Sequence, residues 1–131
     1  MHTARLVALN KAAELALPNE AVIQKTFLIG RDPRCCNLFL ELSTISRKHC
    51  SIEILENGVS ITDTSRNGTQ VNGETLSKKT ILLQAGSHRI EFCGGQLQFK
   101  LLVAKQSIDT TKKLDQFVTE TVQLDFGQLN E

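Results

Sequence analysis

The run His49-Cys50-Ser51-Ile52-Glu53-Ile54-Leu55-Glu56-Asn57-Gly58-Val59-Ser60-Ile61-Thr62-Asp63 decides the fold class. Cys50, Ile52 and Ile54 alternate with His49, Ser51 and Glu53, the period of two that lines one face of a strand with apolar side chains. Asn57-Gly58 interrupts, and Val59-Ser60-Ile61-Thr62-Asp63 returns. Asn-Gly between two alternating runs is a strong hairpin signal, because both central residues of a type I′ turn need a positive φ. The stretch reads as an antiparallel hairpin turning at Asn57-Gly58.

The same texture extends in both directions. Upstream, Arg5-Leu6-Val7-Ala8-Leu9 and Thr26-Phe27-Leu28-Ile29, the latter ending at Gly30, read as strands. Downstream, Asn72-Gly73 turns Gln70-Val71 back into Glu74-Thr75-Leu76, and Ile81-Leu82-Leu83 is another short apolar stretch. Arg89-Ile90-Glu91-Phe92-Cys93 then meets Gln96-Leu97-Gln98-Phe99-Lys100-Leu101-Leu102 across Gly94-Gly95, read as a two-residue hairpin. Many short strands between turn signals predict an all-β sandwich or barrel. The one helical competitor is Ala12-Ala13-Glu14-Leu15-Ala16-Leu17, stopped by Pro18. From about Ala104 the chain turns polar. Residues 105–131 read as a linker and C-terminal tail, in which Val118, Val122, Leu124 and Phe126 would share a strand face. That tail has three readings: an added strand, a partner-binding segment or a disordered end. Asp125-Phe126-Gly127 matches a kinase triplet by letters alone.

Composition excludes several classes. The 131 residues make about one domain, with 40% hydrophobic and 22% charged residues. Fifteen Lys and Arg against 14 Asp and Glu leave a net charge of +1, so no overall basic field holds a nucleic-acid backbone. Six scattered Phe with no Trp or Tyr make a poor base-stacking platform. No apolar run approaches the roughly 20 residues of a membrane span, and charges at Arg5, Lys11 and Glu14 break any signal-peptide core. Cys35-Cys36, Cys50 and Cys93 form neither a C-x-x-C pair nor zinc-type spacing, so free thiols in a reducing compartment are expected, with no metal and no cofactor. Ser46, His49 and Asp63 supply the letters of a catalytic triad, but there is no Gly-x-Ser-x-Gly elbow and no phosphate-binding glycine loop; an enzyme is not expected.

Three segments between the strands hold small polar and cationic residues: Gly30-Arg31, Ser46-Arg47-Lys48-His49 and Ser65-Arg66-Asn67-Gly68-Thr69. Loops at one end of a sandwich cluster in space. Guanidinium forks, a hydroxyl, an amide and free backbone N–H groups gathered there are the parts of a phosphate site. The order and spacing of Gly30-Arg31, Ser46-x-x-His49 and Asn67-Gly68-x-x-x-Asn72-Gly73 resemble the forkhead-associated (FHA) family, over roughly residues 5–103. The resemblance implies a β-sandwich of about eleven strands, residues 1–104, that binds phosphothreonine peptides through the loops at one end.

Carried over residue by residue, the resemblance implies that Arg31 pairs with the phosphate and Ser46 hydrogen-bonds one of its oxygens. Arg47 contacts phosphate or ligand backbone, Arg66 helps hold the phosphate, and Asn67 bonds the ligand's main chain. His49 braces the binding loops, and Gly30, Gly68 and Asn72 set turns. Threonine is preferred to serine through a nook for its γ-methyl, a group whose burial contributes only about 1 kcal/mol. The implied partner is a phosphothreonine-containing protein, without direct nucleic-acid or membrane contact.

The alternative function is homodimerisation, with the segment around residues 118–126 adding to a second copy's sheet edge. Phosphorylated Thr3, Thr110, Thr111, Thr119 or Thr121 of one copy docking into another would combine the two roles. The block Ser46-Arg47-Lys48-His49-Cys50-Ser51-Ile52-Glu53-Ile54 is similar to chromosome-associated members of the family. It implies a nuclear DNA-damage or cell-cycle protein with this domain at its N-terminus.

Overall fold

The computed structural model describes residues 2–105. Eleven strands form two sheets: β1 (His2–Ala8), β2 (Ala21–Ile23), β3 (Thr26–Gly30), β4 (Leu38–Phe39), β5 (Cys50–Leu55), β6 (Gly58–Asp63), β7 (Thr69–Val71), β8 (Glu74–Leu76), β9 (Thr80–Leu83), β10 (Gly86–Phe92) and β11 (Leu97–Lys105). One sheet has the order β2-β1-β11-β10-β7-β8, the other β4-β3-β5-β6-β9. This is the all-β sandwich expected. Leu6, Ile90, Phe92, Phe99 and Leu101 of the first sheet, and Ile29, Ile52 and Ile61 of the second, are fully buried in one core.

The helical competitor does form. α1 (Lys11–Ala16) starts because the Asn10 side chain caps it, accepting from the Ala13 N–H at 3.0 Å, and it stops directly before Leu17-Pro18. It packs on β11 and β1, with Ala13 buried.

Two turns differ from expectation. The β5–β6 hairpin turns on Glu56-Asn57, with Gly58 already paired to Leu55. Asn57 is not in the left-handed region. The core sets this register: it places Ile52 opposite Ile61, whereas turning at Asn57-Gly58 would place Ile52 opposite Asp63. Between β10 and β11 the loop is Cys93-Gly94-Gly95-Gln96, not two residues. Cys93, Gly94 and Gly95 have φ of 57°, 63° and 91°, and the Gln96 N–H donates to the Cys93 carbonyl at 3.2 Å. At β7–β8 the expected turn is found: Asn72 and Gly73 have φ of 52° and 87°, between paired Val71 and Glu74.

The loops after β3, β4, β6 and β10 emerge at one end of the sandwich. The tail segment 118–126, and with it Thr110, Thr111, Thr119 and Thr121, lies outside the described residues.

Candidate functional site

The loop end is held together by backbone carbonyls and buried polar side chains. Arg31 follows β3 directly. Its N–H donates to the Ser46 carbonyl at 3.0 Å, and its Nε donates to the Ile45 carbonyl at 2.8 Å. The guanidinium is thereby aimed, while its two terminal nitrogens make no hydrogen bond among the described residues. Gly30 allows this seam: a Cβ there would lie 2.1 Å from the Arg47 carbonyl oxygen.

Ser46 and Arg66 meet across the site. The Ser46 hydroxyl oxygen accepts from the Arg66 N–H at 3.0 Å, leaving its own hydrogen to donate. Asn67 Nδ2 donates to the Thr44 carbonyl at 2.8 Å, which leaves Oδ1 as an open acceptor. Arg31, Ser46, Arg47, Arg66 and Asn67 all line one cavity of about 340 Å³, together with Ser43, Thr44 and Ile45. The five residues singled out as binding are thus brought together.

His49, one residue ahead of β5, is buried at 1% exposure and lines a neighbouring cavity with Thr44, Asn67 and Gly68. Its Nδ1 accepts from the Ser46 N–H at 3.1 Å, so the proton sits on Nε2, which donates to the Gly68 carbonyl at 2.9 Å. The ring ties the 46–49 loop to the 65–68 loop and packs edge-on against Phe92, 5.1 Å between centroids. Burial lowers its pKa below the ordinary 6.5, an effect that the Gly68 hydrogen bond and the Asp63 charge only partly offset. The unfolded chain therefore holds more protons just below pH 6.5, and stability present above that value is lost as pH falls toward the folded pKa. Without ligand, the wild-type denaturation midpoint should fall between about pH 7.5 and about pH 5 through this group. His49→Ala should be less stable at pH 7.5 and lack that component. A variant with wild-type stability and unchanged pH dependence would contradict the bracing role.

Sequence reasoning did not assign the third support. Asp63, at 1% exposure, ends β6 and accepts from Ser65 Oγ at 2.6 Å, Thr69 Oγ1 at 2.7 Å and the Lys78 N–H at 2.9 Å. Burial alone would raise its pKa, but these bonds hold the carboxyl below its usual value. Ser65 Oγ in turn accepts from the Gly68 N–H at 2.7 Å, closing the loop that carries Arg66 and Asn67. The signal was local: Asp63-x-Ser65 ahead of Asn67-Gly68 is loop-closing chemistry. Asp63 and His49 share no hydrogen bond among the described residues, and Ser46 donates its N–H, not its hydroxyl, to the imidazole. No triad is assembled.

Gly68, at φ 88°, needs the left-handed region. Asn72 lies away from the cavity. Its Oδ1 accepts from the Arg89 N–H at 2.9 Å, and its Nδ2 contacts His88 Nδ1 at 3.1 Å, latching the β7–β8 turn to β10. A second cavity of about 170 Å³ adjoins the first across Thr44 and Asn67, and is lined by Gln70, Glu91 and Cys93 among others. A larger concavity, about 670 Å³, lies elsewhere, between α1 and residues 37–42; its lining is mostly apolar, with Asn37, Glu41 and Gln96 among it. Cys50 is buried, which pushes its thiol up, and burial raises Cys36 as well. No cluster of metal-ligating side chains occurs among the described residues.

A family model described as an FHA domain matches residues 27–93. The FHA domain of the CT664 protein from Chlamydia trachomatis is 26% identical, with a TM-score of 0.58 over 80% of this chain and 99% of that one. The N-terminal FHA domain of Rad53p from S. cerevisiae, in complex with a phosphothreonine peptide, is 25% identical, with a TM-score of 0.55 over 77% of this chain and 91% of that one. The MEK1 FHA domain, in complex with a HOP1 phosphothreonine peptide, shares the fold at 24% identity and a TM-score of 0.62, over 78% of this chain and 97% of that one. No curated protein matches the chain significantly.

Proposed function

The chain belongs to the FHA family, and we propose from that premise that it reads phosphothreonine on partner proteins. The observation that carries the reading is the convergence of Arg31, Ser46, Arg47, Arg66 and Asn67 on one cavity, with the donors of Arg31 and Ser46 left open. FHA domains are interaction modules, and two of the similar domains are bound to phosphothreonine peptides.

Arg31 offers its terminal nitrogens to phosphate oxygens, Ser46 its hydroxyl hydrogen and Arg47 its exposed guanidinium. Asn67 Oδ1 accepts from a ligand main-chain N–H. His49, Gly30, Gly68 and Asn72 act on the ligand only through the loops they position. Phosphorylation adds about −1.5 to −2 charges, which turns an indifferent threonine segment into one matched to these cations.

The protein acts, in this reading, in the nucleus as a DNA-damage or cell-cycle factor, supported by the similarity of residues 46–54 to chromosome-associated members. Retention of a degenerate phosphothreonine peptide pool, with its unphosphorylated counterpart washing through, is the expected result. Equal retention of both would contradict the reading. A tagged full-length protein should concentrate in nuclei. Molecular mass in solution, with and without residues 105–131, separates a monomeric reader from the tail-driven dimer.

A further inference from the structure

The groove of about 670 Å³ between α1 and residues 37–42 has no cover among the described residues. Leu38, Leu40 and Leu97, all buried, line its base. Both walls are fixed. Asn10, which caps α1, donates from Nδ2 to the Gln96 carbonyl at 3.0 Å. The opposite wall is pinned by the Asn37 N–H to the Leu28 carbonyl at 2.8 Å and by the Leu40 N–H to the Gly30 carbonyl at 2.9 Å. Leu15 nevertheless stands 82% exposed on α1, and Phe39 is 37% exposed on β4. β4 is also the edge of its sheet, paired only with β3 among the described residues. Such an edge presents backbone donors and acceptors to a further strand.

The same chain carries a segment that suits this groove. Within residues 106–131, Val118, Val122, Leu124 and Phe126 fall on one strand face, and no Lys or Arg follows Lys113. The reach is sufficient. Lys105 pairs with His2 at one end of β11, and Leu97 at the other end lines the groove, about 26 Å away at 3.3 Å per residue. Residues 106–116 span up to about 36 Å when extended, so Phe117 can lie at the groove. Charge favours the return. Residues 2–105 hold 13 Lys and Arg against nine Asp and Glu, and residues 106–131 hold two against five. Glu41 is the acid in the groove lining, and the run Val122, Leu124, Phe126 sets no acid against it on the apolar face. A tether of this length holds the segment at an effective concentration on the order of millimolar, so a modest fit is enough to populate the docked state.

We propose that residues 117–126 dock in this groove of their own chain, with Val122, Leu124 and Phe126 against Leu15, Leu17 and Phe39 and their backbone along the β4 edge. The segment is then an internal partner of the domain, not a strand lent to a second copy. The wall at residues 40–42 runs directly into Ser43, Thr44 and Ile45 of the loop-end cavity, so the docked segment flanks the recognition loops. The inference holds whatever that cavity binds.

Chymotrypsin tests this on the full 131-residue chain, because Phe117, Leu124 and Phe126 are its cleavage sites. Cleavage follows the undocked fraction when docking is fast. Each rate is compared with that of a synthetic peptide of residues 106–131 carrying the same substitution, if any. In the wild type, cleavage at Leu124 and Phe126 is expected to be about tenfold slower than in the free peptide. Leu15→Glu, at a side chain already in solvent, should melt like the wild type and bring cleavage close to the free-peptide rate. Val122→Glu should do the same from the other side of the contact. Val22→Glu, at an exposed site on β2 of the other sheet, should leave the protection unchanged. The protection should hold over a roughly hundredfold range of protein concentration, since a tethered contact does not depend on it. Wild-type cleavage at the free-peptide rate overturns the proposal. So does protection that survives in both Leu15→Glu and Val122→Glu. Protection that grows with concentration, alongside a rise in molecular mass, also overturns it and assigns the segment to a second copy.

Discussion

Arg31→Ala is expected to abolish phosphopeptide binding while leaving the melt of the domain close to wild type. The guanidinium is exposed, so its removal opens no core cavity. Its structural bond is a single one, Nε to the Ile45 carbonyl, at a rim position. The backbone bond from the Arg31 N–H to the Ser46 carbonyl survives the substitution. Its ligand bonds are of a different order. A hydrogen bond to a charged group contributes about 1.5–3 kcal/mol net, and the two open terminal nitrogens can make two. A loss of about 3–6 kcal/mol is a factor of roughly 10² to 10⁴ in affinity, which takes a micromolar complex out of the measurable range. Arg31→Lys keeps the charge but not the fork, and should recover only part of the binding. Wild-type affinity in Arg31→Ala, checked by calorimetric titration, would remove this residue from the site.

The second large effect is expected at Gly30. A methyl group there would sit 2.1 Å from the Arg47 carbonyl oxygen and 2.8 Å from its carbonyl carbon. These are backbone atoms, which a side-chain rotation cannot clear. The 46–47 loop must move, and with it go the bond from the Arg31 N–H to Ser46 and the one from the Asp32 N–H to Arg47. Overpacking a tight site costs about 1–3 kcal/mol or more, here with loss of the binding geometry as well. Gly73 gives the comparison. It has φ 87°, but a Cβ there meets nothing within 4 Å. Gly73→Ala therefore carries only the left-handed penalty of about 1–2 kcal/mol and spares the cavity. Thermal denaturation and peptide titration of both variants check the contrast. Binding should be lost in Gly30→Ala and kept in Gly73→Ala; retained binding in Gly30→Ala would contradict the role of the seam.

These two residues show how much the sequence discloses. That Arg31 meets Ser46 and Asn67 in one cavity was legible, because a guanidinium is a marked side chain and stands at a fixed spacing from both. The carbonyls of Thr44, Ile45 and Arg47 that aim or abut those residues were not, since every residue has a carbonyl and no letter marks which one is used. Asp63 carried a local signal in Ser65, two residues on, but its bonds to Thr69 and Lys78 need the fold to bring those segments together. The long strands showed through their alternation, but β2 and β4, of three and two residues, are too short to display a period. Asn72-Gly73 turned where the letters said, because both of its residues take positive φ. Asn57-Gly58 did not, because pairing Ile52 with Ile61 outweighs a local turn preference.

The cavity around Arg31 and Ser46 is proposed to recognise a phosphorylated threonine. Calorimetric titration of the wild-type protein with one peptide in three forms, phosphothreonine, phosphoserine and unmodified threonine, tests it most directly. Saturable binding of the phosphothreonine form is expected, with weaker binding of the phosphoserine form and none of the unmodified peptide. Equal heats for the phosphorylated and unmodified forms, from a protein that melts cooperatively, would contradict it.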